Sequence, residues 1–166
     1  MPSGGRAALA VANQLVFARG MIFPMTTDPA DVPALQPKGE LVLRTIAMPA
    51  DTNANGDVFG GWLMSQMDLG GSVLARNIAQ SRVATVAVDG MSFLNPVDVG
   101  DIVTCYASLL RVGRTSMKID IEAWVQRHRD GSVRRVTEGI FTFVAIAAAG
   151  RPQPVYRPGA TPSPTV

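Results

Sequence analysis

A single stretch of this sequence has the periodicity of a helix, and that fact restricts the fold more than any other. Apolar residues recur there at three- and four-residue spacing, which predicts one amphipathic helix from Gly60 to about Ala79. The residues that form this stripe are Met64, Met67, Gly71, Leu74, Ala75 and Ile78. A strand-like run at residues 41–48 precedes the helix, and only β patterns follow it. The core must therefore form between one helix and a sheet.

Four strands are predicted after the helix, at residues 82–94, 101–111, 117–125 and 133–146, and turn signals separate them. Because the connections are short, we predict an α+β fold in which one helix packs against a mostly antiparallel sheet. One helix covers only one face of a sheet, yet several strands are apolar on both faces. We therefore expect the other face to meet a second subunit.

The regions outside residues 40–147 are predicted to be tails around a single domain. Residues 1–39 are predicted to be disordered or extended, and residues 148–166 to be a disordered Pro-rich tail. Within the first 24 residues, Arg6 and Arg19 flank an apolar stretch that has no acidic residue. A targeting segment is therefore an alternative to a dispensable tail, with Met25 as an alternative translation start.

Composition excludes several classes of function. The net charge is only +2 and the basic residues are scattered, so no stripe suits nucleic-acid phosphates. One cysteine and one histidine make neither an internal disulfide nor a zinc set, and we expect no metal. No apolar run approaches the ~20 residues that span a bilayer. We expect a protein of the reducing cytoplasm, with neither nucleic acid nor membrane as partner.

Asp68 is the most informative polar residue, because it lies close to the apolar stripe of the predicted helix. No basic residue stands three or four positions from it, so no local ion pair satisfies the carboxylate. Gly70 and Gly71 follow, although each costs about 1 kcal/mol relative to Ala inside a helix. We interpret the glycines as a place where substrate or a partner subunit approaches the backbone. The alternative is a helix that ends at these glycines and leaves Asp68 exposed.

A polar loop, residues 51–59, leads into the two glycines at the helix start. The unpaired N–H groups of Gly60 and Gly61 could stabilise an oxyanion, and Asn53 or Asn55 could hold a water molecule or a substrate amide. The alternative is a simple turn followed by a helix cap, with Asp57 near the positive end of the helix.

The segment LVLRTIAMPADTNANGDVFGGWLMSQMDLGG resembles the signature of the YciA-type acyl-CoA thioesterases of the hotdog superfamily. The stretches VDGMSFLNPVDVGD, VGRTSMKIDIEAWV and FTFVAI continue the resemblance, which covers about residues 40–147. It implies a hotdog domain, in which a five-stranded antiparallel sheet wraps around one long central helix. It also implies a dimer with active sites at its interface, assembled as a trimer of dimers.

By the same resemblance the reaction is hydrolysis of an acyl-CoA thioester to free acid and CoA, with CoA as part of the substrate and no cofactor. Asp68 takes the position of the family's helix carboxylate, as a general base on water or as a nucleophile that forms an anhydride. Asn53 takes the position of a loop asparagine from the facing subunit, and the Gly61 N–H that of an oxyanion donor.

The same resemblance supplies the expected contacts with substrate. The turn at residues 113–116 offers a cation, hydroxyls and N–H donors suited to CoA phosphates, although such a turn is also commonly just a hairpin. Phe93 is a candidate for the acyl tunnel. The expected substrate and CoA contacts are Gly60, Arg82, Phe93, Gly113, Arg114, Thr115 and Ser116.

Other catalytic schemes lack the necessary residues. There is no Gly-x-Ser-x-Gly elbow, and the single histidine, His128, falls in a polar turn where we expect it to be solvated. A serine triad is therefore excluded, and a hotdog dehydratase would need that histidine in its pocket. Cys105 is interpreted as a core residue. The alternative of another class is a non-catalytic acyl-CoA-binding or sensing module in which Asp68 has only a structural role.

Overall fold

The computed structural model describes residues 36–156, and the structural statements below concern those residues. Within these residues, one α-helix and five strands follow each other, with a short 3-10 helix at Pro49–Asp51 after the first strand. They are β1 (Glu40–Ile46), α1 (Gly60–Ala79), β2 (Arg82–Phe93), β3 (Ile102–Val112), β4 (Ser116–Gln126) and β5 (Val133–Ile146). The strands form one sheet in the order β1-β3-β4-β5-β2, and every neighbouring pair is antiparallel. The predicted α+β fold is confirmed, and α1 contacts all five strands.

The helix lies close to the sheet because Gly70 and Gly71 have no side chains. A Cβ atom at Gly71 would stand 2.9 Å from the Phe143 ring and closer still to Ile121, and one at Gly70 would stand 2.9 Å from Val42. These glycines therefore serve contact between helix and sheet within one chain. Our interpretation that substrate or a partner subunit approaches there is wrong.

The helix does not end at those glycines, so that alternative is wrong as well. It continues to Ala79 and ends at Gln80, whose φ of 47° is left-handed and whose N–H donates to the carbonyl of Arg76 over 2.8 Å. Asp68 consequently belongs to the middle of a 20-residue helix.

The buried face of α1 is turned slightly from the predicted stripe. Met64 is exposed, and Leu63 is buried in its place, because the face is centred on the two glycines rather than on the methionines. The buried helix residues are Leu63, Met67, Gly70, Gly71, Leu74, Ala75 and Ala79. They pack against inward-facing side chains of the sheet, among them Ile119, Ile121, Phe141 and Phe143.

The outer face of β4 is more buried than its alternating pattern predicts. Glu122 and Trp124 lie on the face expected to be polar, yet both are buried. The Trp124 indole N–H donates to Glu122 Oε2 over 2.9 Å, and the Lys38 N–H donates to the same oxygen over 3.1 Å. Burial, together with the negative charges of Glu122 and Glu138, raises the pKa of the neighbouring Asp120 carboxyl.

Residues 151–156, which we name the C-terminal strap, are ordered. Pro152 pairs with Ile146, the Gln153 N–H donates to the Ala145 carbonyl over 2.9 Å, and Val155 is buried in the core. The predicted disordered tail is therefore wrong for residues 148–156. Residues 1–35 and 157–166, which the remaining predictions about the tails concern, lie outside the described part of the chain.

Asp101 is a fully buried carboxylate that joins the loop after β2 to the β4–β5 turn. It accepts hydrogen bonds from the backbone N–H groups of Asp98 (3.0 Å) and His128 (3.2 Å), and it forms an ion pair with Arg127. Burial alone would raise the pKa of Asp101, but these hydrogen bonds outweigh it and hold the pKa below its usual range. The His128 ring is only partly solvated, because Nδ1 lies 3.4 Å from Asp101 Oδ1.

Asp101 also stabilises the entrance to the polar loop. Its carbonyl accepts from the Ala47 N–H over 3.0 Å, and the Gly100 N–H donates to the Ala47 carbonyl over 2.8 Å. Arg127 in turn donates to the Pro96 carbonyl over 2.8 Å. The ends of β1 and β2 are thus anchored to one ion pair.

No helix within residues 36–156 is long and apolar enough to cross a membrane.

Gly71→Ala is expected to lower the free energy of unfolding by about 1 kcal/mol. The added methyl group would overlap Ile121 and Phe143, a cost of ~1–3 kcal/mol that exceeds the gain of about 1 kcal/mol in helix propensity. Urea denaturation at one fixed protein concentration measures the change. Asn77→Ala, on the exposed face of the same helix, is the control and should be neutral or slightly stabilising.

Asp101→Asn is expected to destabilise the fold by about 3 kcal/mol at pH 7, because Arg127 loses its buried counter-charge. The pKa of Asp101 is lowered in the folded state, so its contribution is full above the unfolded pKa of about 4 and is lost as pH falls through the folded pKa. The difference between wild type and variant should therefore shrink below about pH 4.

Urea midpoints measured from pH 7 to pH 3 test this expectation. Asp98→Asn is the matched control, because Asp98 is more exposed and lies 3.5 Å from the same arginine. If the Asp101 and Asp98 variants lost equal stability at pH 7, the central role of the Asp101 ion pair would be refuted.

Candidate active site

Asp68 lies on the third turn of α1, half-buried, and is hydrogen-bonded to β2. Its Oδ1 accepts a hydrogen bond from the hydroxyl of Thr85. No lysine or arginine among residues 36–156 forms an ion pair with it, and this includes the local pairs within the helix that the sequence excludes. The second oxygen, Oδ2, has no hydrogen-bond partner in the same part of the chain. A half-buried carboxylate that has one oxygen held and one free can accept a proton or attack a carbonyl group.

Thr85 is a site residue that the sequence analysis missed. It lies opposite Phe143 in the register of β2 and β5, and the Phe143 ring is in the core, so the Thr85 side chain also faces the helix. The alternating pattern of β2 indicates which of its residues share a face with Thr85. It does not indicate that β2 is the strand next to the middle of the helix, and that is why Thr85 could not be assigned to the site from the sequence.

Asn53 organises the polar loop through its carboxamide oxygen. That oxygen accepts hydrogen bonds from the N–H groups of Asn55 (2.9 Å) and Asp57 (3.1 Å), and Thr52 pairs with Val58 across the loop. The carboxamide nitrogen of Asn53 has no partner within residues 36–156 and can donate two hydrogen bonds. Asn55 contributes its N–H to the loop.

The first two residues of α1 are glycines, and an aromatic ring packs close to each of them. The Gly60 and Gly61 N–H groups donate to no acceptor in the described chain, while the next, that of Trp62, bonds to the Phe59 carbonyl over 3.0 Å. A Cβ atom at Gly60 would stand 2.9 Å from the Phe93 ring, and one at Gly61 would stand 3.0 Å from the Phe59 ring. A side chain at either position would therefore displace the aromatic ring that packs there. Two free donors at the positive end of the helix suit a developing oxyanion.

The predicted site residues are not all brought together within one chain. Asp68 contacts Thr85, and Phe93 contacts Gly60, but the hydrogen bonds of Asn53 stay within its own loop. The predicted contact between Asn53 and the carboxylate therefore requires another copy of the chain, or another conformation of the loop.

The turn between β3 and β4 and the start of β2 lie at one end of the sheet. The Gly113 N–H donates to the Ser116 carbonyl over 2.7 Å, which closes the turn. The carbonyls of Arg114 and Thr115 accept from the strap and from β5, so the backbone of the turn is fixed. The side chains of Arg114 and Arg82 are exposed.

A long central helix against an antiparallel five-stranded sheet is the hotdog arrangement, and the comparisons with known proteins give its class. A family model described as the thioesterase superfamily matches residues 55–132. The acyl-CoA thioester hydrolase YciA of Escherichia coli K12 is 57% identical over 120 residues, which cover 70% of this chain and 91% of that protein. An uncharacterised acyl-CoA thioester hydrolase of Haemophilus influenzae is 51% identical over 136 residues, or 80% and 88% of the two chains.

Solved structures agree with these sequence relatives. A hexameric thioesterase from Yersinia pestis is 58% identical with a TM-score of 0.70, and the match covers 74% of this chain and 100% of that one. A hexameric broad specificity acyl-coenzyme A thioesterase is 52% identical with a TM-score of 0.73, over 78% and 89% of the two chains. The chain belongs to the YciA-type acyl-CoA thioester hydrolases of the thioesterase superfamily. The predicted hotdog fold and thioesterase class are confirmed.

Thr85→Val should lower kcat for thioester hydrolysis about tenfold with little change in KM. Valine keeps the shape of the side chain but removes the hydroxyl that holds Asp68, a charge-assisted hydrogen bond worth roughly 1.5–3 kcal/mol. Thr85→Ser should recover most of the rate. Thr142→Val is the control. Thr142 lies on the face of β5 that points away from the helix, so this variant should match wild type. A Thr85→Val enzyme with wild-type kcat would contradict this assignment.

Proposed function

We propose that this protein hydrolyses acyl-CoA thioesters to a free carboxylic acid and CoA, with Asp68 as the catalytic carboxylate. The observation that carries the proposal is the Asp68 side chain itself, with one oxygen bonded to Thr85 and the other free. The relatives support the substrate class, since the Escherichia coli protein that shares 57% of the matched residues is named an acyl-CoA thioester hydrolase.

In the general-base route, the free oxygen of Asp68 takes a proton from a water molecule as the water oxygen attacks the thioester carbonyl. Negative charge develops on the carbonyl oxygen, where the Gly61 N–H and the positive end of the helix stabilise it. When the carbon–sulfur bond breaks, the CoA sulfur leaves and takes the proton from Asp68. The carboxylate is thereby restored for the next turnover.

In the nucleophilic route, the same free oxygen attacks the carbonyl carbon and CoA leaves as its thiolate. The acyl group is then held on Asp68 as a mixed anhydride, which water hydrolyses to the free acid. Both routes need a carboxylate that is oriented but not fully occupied. The hydrogen bond from Thr85 to one oxygen supports either of them equally.

A second copy of the chain completes the proposed site. Strand β2 is an edge of the sheet formed by the described residues. Its inner side pairs with β5 except at two register shifts, and Val86, which lies at the first of them, is 58% exposed. Unpaired backbone groups on a long edge strand favour pairing with another strand. We expect β2 to pair with β2 of a second subunit about a two-fold axis, and three such dimers to form a hexamer, the assembly of two solved relatives.

In that dimer Asn53 of the facing subunit donates its free carboxamide N–H groups to the attacking water or to the thioester oxygen. This arrangement agrees with a loop in which the amide oxygen is already occupied. Each site then uses Asp68 of one subunit and Asn53 of the other, and an isolated monomer is inactive.

Mixed dimers test this division of labour. Asp68→Asn and Asn53→Ala should each be nearly inactive alone, because each change removes one component from both sites. When the two variants are unfolded together and refolded, half of the dimers are hybrids, and each hybrid has one intact site and one doubly altered site. We expect about a quarter of wild-type activity to return. If no activity returned from soluble hybrids, Asp68 and Asn53 would have to act within one subunit.

The alternative function is a non-catalytic acyl-CoA-binding or sensing module. An assay that measures release of free thiol from acyl-CoA substrates of short to long chain distinguishes it from a thioesterase. The protein's own thiol should not interfere, because Cys105 is buried and burial raises its pKa to about 12. We expect release by wild type and a loss of about 100-fold or more in Asp68→Asn. Asp130→Asn, in the exposed β4–β5 turn, should retain full activity.

Binding of CoA without thiol release for any chain length would favour the binding module. Substantial activity of Asp68→Asn would instead refute Asp68 as the catalytic carboxylate.

A further inference from the structure

The charged residues of the three segments that meet at the end of the sheet with the strap are all positive. Three segments meet there, namely the start of β2 with residues 79–85, the β3–β4 turn with residues 111–117, and the end of β5 with the strap, residues 143–156. They contain no aspartate or glutamate and four arginines. Those arginines are Arg82, Arg111, Arg114 and Arg151.

Backbone contacts bring these segments together. Arg82 lies opposite Ile146 in the register of β2 and β5, and Pro152 pairs with the same Ile146 from the strap side. The Val155 N–H donates to the carbonyl of Arg114 over 3.0 Å. The strap therefore bridges the last residues of β5 and the turn that holds Arg114.

The four guanidinium groups have no internal counter-charge. All four side chains are exposed, and within residues 36–156 none forms an ion pair with a carboxylate. Elsewhere in the same chain, Arg127, Arg135 and Lys118 do pair with acidic residues. An uncompensated group of arginines at one end of a sheet attracts an anion.

Backbone hydrogen bonds fix the strap at Arg151. The carbonyl of Arg151 accepts the Ala147 N–H over 2.8 Å, and Gly150, with φ of 78°, closes the tight turn between them. Val155, at the other end of the strap, is only 2% exposed. An arginine on an anchored backbone loses less freedom when it binds an anion than one on a loose tail.

We propose that Arg151, together with Arg114, binds phosphate groups of the CoA nucleotide, so that the C-terminal strap forms part of the substrate site. This inference rests on the proposed function. The guanidinium fork matches phosphate oxygens in a bidentate manner. Arg82 belongs to the same group of arginines and is three residues from Thr85, so it lies roughly 10 Å along β2 from the residue that holds Asp68, on the opposite face of the strand. The pantetheine arm of CoA would have to connect this end of the sheet to a thioester at Asp68.

The test compares three thioesters of the same acyl group, carried on CoA, on 3′-dephospho-CoA and on pantetheine. Arg151→Gln should raise KM for acyl-CoA about fivefold, the usual size of one partly exposed charge contact, and leave kcat unchanged. KM for the acyl-pantetheine, which has no nucleotide, should not change. The 3′-dephospho substrate shows which phosphate is bound, because the effect of the substitution disappears if that phosphate is missing.

Arg151→Lys, which keeps the charge, should recover part of the affinity. Arg129→Gln is the matched control, because Arg129 is an equally exposed arginine in the turn at the opposite end of the sheet. An unchanged KM for acyl-CoA in Arg151→Gln would overturn the inference. Equal increases in KM for acyl-CoA and acyl-pantetheine would also overturn it, since they would indicate a disturbed fold.

Failure of the proposed function is detected separately. If wild type hydrolysed no acyl-CoA, titration calorimetry with CoA would still compare the Kd of wild type and Arg151→Gln. A Kd about fivefold weaker in the variant would support the phosphate contact without catalysis. An equal Kd would refute it.

Discussion

The close contact of α1 with the sheet at Gly70 and Gly71 is the constraint on which the rest of the structure depends. Without side chains on that part of the helix, Phe143 and Ile121 fill the space beneath it, and the helix axis comes near enough for its neighbouring turns to reach the strands. One of those turns carries Asp68, which reaches Thr85 on β2. The position of the carboxylate is thus a product of packing two residues away.

This dependence explains why the glycines were assigned the wrong role from the sequence. A glycine pair beside a carboxylate is the same pattern whether the backbone is approached by a ligand or by the protein's own sheet. The two cases differ only in what lies opposite, and that is set by strands distant in the chain, β1 before the helix for Gly70 and β4 and β5 after it for Gly71. Helical periodicity, by contrast, is a local property, and it predicted both ends of α1 as the structure has them.

Asn53 illustrates a second limit of local patterns. The loop composition indicated a turn, and the turn is present, but only the contacts show that the amide oxygen of Asn53 is used within the loop and the nitrogen is not. Likewise, the prolines and glycine after Ile146 predicted a disordered tail. In the structure Val155 is buried in the core, and its N–H donates to the carbonyl of Arg114 in the β3–β4 turn. An apolar residue within a polar tail is a weak signal until the cavity that receives it is known.

The order of the strands has a consequence for how the protein is made. Within residues 36–156, β2 pairs only with β5, the last of the described strands to be synthesised, although about 40 residues lie between them. Asp68 and Thr85 are synthesised early, yet the strand that carries Thr85 has no neighbour in the sheet until β5 is complete. Such long-range pairing is slow and follows synthesis of the whole domain. A nascent chain interrupted before β5 therefore has every proposed catalytic residue and no assembled site.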